Sequence, residues 1–245
     1  MRASAKQLQI IHWRYYFASQ FVQGKEVLEV GCGPGLGLGY LARRAKRAIG
    51  GDCTEDSLTC AREHYRGSVD LLLLDAHKLP FKDSCFDVVV AMAVVAYLHL
   101  DKFLGECHRV LKKGGCLVFC MPNKDAPGYL RSHLCSEYYS PPELLALLSQ
   151  HFDAQLFGAF PIQGRPAWEK LRAVAILVAA RVFNLMPKGR EVKQLLSKYM
   201  TGNSLVLGHE IEDREMTMED LQLAPLPPDS LDFQHRMIYT VAYAH

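Results

Sequence analysis

Between residues 25 and 160, short and almost wholly apolar runs alternate with helix-patterned segments, and that alternation restricts the fold more than any other feature of the chain. The apolar runs are KEVLEVG (25–31), RAIGGD (47–52), VDLLLLDA (69–76), FDVVVAMAV (86–94) and GCLVFCMP (115–122). Between them lie LGYLARRAK (38–46), SLTCAREHYR (57–66) and LDKFLGECHRVLKK (100–113), which read as helices. A strand with helices on both faces of its sheet has no wet side, so it is apolar throughout rather than at every second residue. Strands that alternate with helices form parallel βαβ units. Beyond Pro122, SPPELLALLSQHF (140–152) predicts a helix opened by Ser140 and two prolines. DAQLFGAF (153–160) and DFQHRMIYTVAYA (232–244) predict two more strands. The expected fold is therefore α/β, a doubly wound, seven-stranded, mostly parallel sheet. Residues 1–160 form its core, 161–230 a helical insertion with a loop-rich end, and 231–245 the returning last strand.

The first run leads into glycines at 31, 33, 35, 37 and 39. Glycine inside a regular element costs about 0.5–1 kcal/mol relative to alanine, so the cluster has a purpose. A glycine turn between a strand and a helix sets backbone N–H groups and a helix N-terminus beside a ligand. Gly31, Gly33 and Gly35 bring that ligand close to the main chain, whereas Gly37 and Gly39, inside the helix, permit close helix–sheet packing. The dinucleotide pattern GxGxxG does not fit, because the sixth position from Gly31, Gly33 or Gly35 is Leu36, Leu38 or Tyr40. Gly37-x-Gly39-x-x-Ala42 fits the alanine form but starts inside the helix, and no GK[ST] follows as a P-loop requires.

LEVGCGPG resembles motif I of the class I S-adenosylmethionine-dependent methyltransferases, and three later features fall in that family's order. The resemblance covers about residues 10–160 and implies the Rossmann-like fold of the family, S-adenosyl-L-methionine as cofactor, and methyl transfer as the activity. It implies that Asp52, ending the second strand, binds both ribose hydroxyls, with Cys53 against the adenine. Asp75 and Ala76, after the third strand, read the adenine edge, and Ala91 in the fourth strand completes the pocket. Glu29 orients the glycine turn, lies near the amino-acid end of the cofactor, and joins Gly31, Cys32, Gly33 and Gly35 in the binding set. HWRYYFASQF (12–21) resembles a helix that folds over the cofactor, with Tyr15 and Tyr16 on the methionine end and Trp13 or Phe17 above. Two alternatives stand beside these readings. Asp52 and Asp75 are also suited to cap helices, and the N-terminal aromatics to pack on the sheet edge.

Relatives carry an acidic-His pair after the fourth strand; here VVAYLHL gives Ala96 and Tyr97, leaving Tyr97 and His99 as the catalytic candidates. The acceptor is expected to be a small molecule at oxygen, nitrogen or carbon, apolar or anionic. His133, Glu137, Tyr138 and Tyr139 follow the fifth strand as candidate contacts. Residues 164–198 carry Arg165, Lys170, Arg172, Arg181, Lys188, Arg190, Lys193 and Lys198 against Glu169 and Glu191. That segment reads as a packed helix with a solvated basic face or a dimer contact. As a functional reading it is a cap over the acceptor, with peripheral membrane contact through 165–198. The acidic HEIEDREMTMED (209–220) pairs with it or forms a solvated loop.

A formal charge of +2 argues against a bulk polyanion, and no nucleic-acid partner is expected. The apolar stretch 173–180 lies between Arg172 and Arg181, far short of the roughly 18–20 residues of a membrane span. The eight cysteines contain no CxxC pair, so no metal site is expected and the thiols read as reduced, in a cytoplasmic protein. Two other function classes remain open at this point: a non-catalytic cofactor-binding partner subunit of a methyltransferase complex, and an RNA or protein methyltransferase.

Overall fold

In a computed structural model of the chain, the residues described are 2–127, 138–162, 204–206, 217 and 219–245. They divide between two compact units, residues 1–10 with 162–207 and residues 11–161 with 208–245. In the first, strand β1 (Arg2–Ser4) pairs antiparallel with Ser204–Val206, Ala3 opposite Leu205.

The second unit holds most of helix α1 (Ala5–Ser19), then β2 (Glu26–Val30), α2 (Leu38–Ala42), β3 (Arg47–Asp52), α3 (Glu55–Tyr65) and β4 (Asp70–Leu73). It continues with β5 (Phe86–Met92), α4 (Leu100–Val110), β6 (Leu111–Pro122), α5 (Pro141–Leu148) and β7 (Phe152–Pro161). With Ser204–Val206 counted as β8, the last strands are β9 (Ala224–Pro225) and β10 (His235–Ala244). The sheet runs β4-β3-β2-β5-β6-β10-β7-β9. Strands β2 to β6 are mutually parallel, and β10 lies antiparallel between β6 and β7.

Both faces of the sheet are buried, as the unbroken apolar runs require. Val88, Val90 and Met92 of β5 face α1 and α2, while Val89 and Ala91 face α4 and α5. Helix α4 buries Leu100, Phe103, Leu104, Cys107 and Val110, a single apolar stripe of helical spacing. Helix α5 starts as expected, Ser140 and Glu143 forming a capping box ahead of the prolines.

The expected doubly wound, mostly parallel sheet is present, with differences at its margins. The two-residue β9 is an eighth strand that the apolar pattern is too short to reveal. Helix α2 stops at Ala42 rather than Lys46, since the Lys46 amide already donates to the Lys25 carbonyl at the entry to β3. Helix α4 stops at Val110 because Leu111 pairs with Phe86; Lys112–Gly115 then bulge out and pairing resumes between Cys116 and Val88. Most of the expected insertion at 161–230 lies outside the described residues. The described parts of that stretch include strands β8 and β9. Seven cysteines fall among the described residues and all are free thiols.

Candidate functional site

Five parallel strands end at one edge, and the sequence-predicted acids gather there. Strand β2 gives way at Gly31, whose amide, with that of Cys32, donates to the Gly51 carbonyl of β3 (2.7 and 3.0 Å). Gly33 has φ +54°, and a Cβ added to it would meet nothing within 4 Å. Its backbone is therefore bare on the open side of the turn, a cradle that a side chain would fill. Gly37 has a different use from the one its place in the helix suggests. A Cβ there would stand 2.1 Å from the ring of Tyr15, so this glycine admits α1 rather than the sheet.

The acid that holds the turn is Asp52, not Glu29. Its Oδ2 accepts from the Gly33 amide (2.8 Å) and its Oδ1 from the Thr54 amide (2.9 Å). Asp52 is not the cap of α3; Thr54 occupies that position. Asp75 caps no helix either. Its exposed Oδ1 accepts from the His77 amide (2.9 Å) and faces His77 Nδ1 (2.8 Å), and the amide bond foremost holds the carboxyl below the usual carboxylate range. Ala76 beside it is buried. Cys53 is exposed next to Asp52, while Cys32 is buried in the turn, its thiol pushed well up by burial.

Glu29 is wholly buried. Oε1 accepts from the Tyr15 hydroxyl (2.6 Å), and Oε2 is buried without a hydrogen-bond partner. Burial pushes this carboxyl up to about 7; the Tyr15 bond opposes the rise and the charge of Asp52 adds to it. A buried carboxylate oxygen without a hydrogen-bond partner is costly.

The N-terminal aromatics divide differently from expectation. The Tyr15 hydroxyl is committed to Glu29. Tyr16 is half-buried against the core, Trp13 stacks on Phe160 (5.1 Å), and Phe17 is buried edge-to-face with Tyr239 (5.1 Å). Phe17 is thus core rather than cover. Ala91, next to last in β5, is wholly buried with its side chain in the α4–α5 face of the sheet. Tyr97 ends the 3₁₀ turn Val95–Tyr97 and is 52% exposed, and His99 is exposed at the start of α4. Tyr138 is buried and Tyr139 half-buried; His133, Glu137 and the basic segment 165–198 lie outside the described residues.

Three groups here escape a reading by spacing. Tyr65 of α3 ties the glycine turn together, its hydroxyl accepting from the Gly39 amide (2.8 Å) and donating to the Gly35 carbonyl (2.5 Å). Tyr65→Phe leaves the Gly39 amide unpaired and the Gly35 carbonyl with only the Leu38 amide (3.2 Å), and a loss of about 1–2 kcal/mol in urea unfolding is expected; an unchanged midpoint would contradict the assignment. His77 joins two loops. Asn123, just past β6, is wholly buried and donates Nδ2 to the carbonyls of Asp232 and His235 and to the Asp232 carboxylate, closing the seam to β10. Among the described residues no cluster of His, Cys, Asp or Glu is arranged to hold a metal. No described helix is long and apolar enough to cross a membrane.

Residues 28–119 match the family model described as "Methyltransferase domain". The chain is 39% identical over 117 residues, 45% of its length, to the fatty-acid O-methyltransferase of Mycolicibacterium smegmatis, covering 43% of that protein. It is 42% identical over 108 residues to the phthiotriol/phenolphthiotriol dimycocerosates methyltransferase of Mycobacterium tuberculosis, covering 42% of this chain and 40% of that protein. The chain thus spans about two fifths of the length of the curated relatives it matches. Among solved structures, a SAM-dependent methyltransferase from Archaeoglobus fulgidus superposes with a TM-score of 0.59 at 16% identity, over 96% of this chain and 94% of that one, a likeness of fold.

Proposed function

We propose that this chain carries a class I S-adenosylmethionine-dependent methyltransferase domain and moves the donor's methyl group to an oxygen of an apolar, lipid-like acid, a reading supported by the match of residues 28–119 to the methyltransferase model. What supports the donor half is one arrangement: the bare Gly33 backbone, the Asp52 carboxylate and the unpartnered Glu29 Oε2 meet at one edge of the sheet. These groups fit the donor. Asp52 would accept from the ribose hydroxyls, Asp75 and the Ala76 backbone would face the base, and Glu29 would take the cationic amino group of the methionine end.

S-adenosylmethionine, when bound, supplies a methyl group on a positively charged sulfur. The protein's task is to hold the acceptor in line with that carbon and to keep water out, and such positioning supplies much of the rate. A general base is needed only where the acceptor must lose a proton. A carboxylate at neutral pH has none to lose, which suits a chain with Ala96 and Tyr97 where relatives place an acidic-His pair. Tyr97, Leu231 and Phe233 are large apolar residues exposed in the segments that follow β5 and precede β10, both at the edge where the parallel strands end. They suit an alkyl chain, as does the fatty-acid substrate named for the Mycolicibacterium relative.

The test is incubation with methyl-labelled donor and a panel of hexadecanoic acid, a phenol, an alkylamine and RNA. Label recovered as an alkali-labile methyl ester of the fatty acid is expected. Donor binding without transfer to any acceptor would overturn the reading in favour of a cofactor-binding partner subunit, and salt-sensitive labelling of RNA would overturn it in favour of a nucleic-acid enzyme.

A further inference from the structure

One imidazole joins the loop after β4 to the start of α4. His77 Nδ1 lies 2.8 Å from Asp75 Oδ1, and His77 Nε2 lies 3.0 Å from the backbone nitrogen of His99. A backbone amide only donates, so Nε2 must present its lone pair. The proton of the neutral ring is then on Nδ1 and is donated to Asp75, which fixes a single tautomer. The His77 amide reaches the same carboxylate oxygen (2.9 Å), so residue and acid form one rigid turn.

We propose that His77 is a positioning residue that couples the donor's base pocket to the Tyr97–His99 segment. The proposal rests on the reading that Asp75 faces the adenine. The Asp75 carboxylate fixes the tautomer of the ring, and that tautomer presents the lone pair that holds the His99 amide at the start of α4.

Two readouts test this on the full chain at pH 8: the hydrogen-exchange protection of the His99 amide, corrected for intrinsic rate, and the dissociation constant for S-adenosylmethionine by calorimetry. The wild-type protein is compared with His77→Gln, whose side-chain oxygen accepts from the same amide, and with His77→Ala. His99 protection and donor affinity are both expected to fall about tenfold in His77→Ala and to return to within about twofold of the wild type in His77→Gln. A His77→Ala protein within twofold of the wild type in either readout, or a His77→Gln protein no better than His77→Ala, overturns the coupling while donor binding stands. A wild-type protein that binds no donor overturns the functional reading itself.

Discussion

Glu29→Gln is expected to make the ligand-free protein more stable at pH 8 while weakening S-adenosylmethionine binding about a hundredfold. The carboxyl is fully buried, one oxygen on Tyr15 and the other without a partner, and burial moves it from an ordinary 4.5 to about 7. Between those two values the folded protein holds a proton that the unfolded chain has released. Stability contributed by this group therefore falls as pH rises from 4.5 to 7, and is lowest above 7. The full span corresponds to about 3 kcal/mol. Glutamine keeps an oxygen for Tyr15 but leaves its amide N–H groups buried and unpaired, a cost of about 1–3 kcal/mol that offsets part of the gain. The net expectation is up to about 2 kcal/mol in favour of the variant at pH 8, and a difference near zero or reversed at pH 5. Urea unfolding at the two pH values measures it; parallel curves for the two proteins would show that Glu29 is not buried as a titrating acid. Donor binding moves the other way, because a buried cationic partner loses its counter-charge. That loss of about 3 kcal/mol is a hundredfold in affinity. In the wild type the donor should bind more tightly as pH rises to 7 and level off above it.

This tension between stability and binding accounts for what a sequence can and cannot disclose. The strand ends, the glycine turn and the acids at 29, 52 and 75 follow from local pattern: an apolar run, a turn, a polar residue where the strand leaves the sheet. Contacts between distant segments leave no such trace. Nothing in HWRYYF says that Tyr15 rather than Tyr16 reaches Glu29, since the choice depends on how α1 lies on the sheet and on the absent side chain at Gly37. Tyr65 looks like one more apolar position on α3 until its hydroxyl is found between Gly35 and Gly39. The spacing of DAH and LHL likewise conceals that an imidazole from one meets an amide from the other. The family resemblance implies that Glu29 orients the turn. Asp52 does so instead, because neighbouring parallel strands bring the end of β3 beside the turn that follows β2.

Asp52→Ala is the complementary test, because it acts on the sugar end and on the turn together. Both carboxylate oxygens already accept from backbone amides, one on each side of the site. Alanine removes the anchor of Gly33 as well as the acceptor facing the ribose, so donor affinity should fall tenfold to a hundredfold, about 1.5–3 kcal/mol. Affinity for S-adenosylhomocysteine should fall by the same factor, since the missing interaction does not involve the methyl group. Unchanged affinity for both would remove Asp52 from the site. The two acids are also coupled: the charge of Asp52 helps hold Glu29 in its protonated form. Removing Asp52 should lower the pKa of Glu29 and shift the rise in donor affinity to lower pH. At pH 6 part of the Asp52 loss is then offset by a more fully ionised Glu29, an offset that cannot occur once Glu29 is glutamine. The effects of the two substitutions should therefore fail to add at pH 6 and approach additivity at pH 8, where Glu29 is ionised with or without its neighbour.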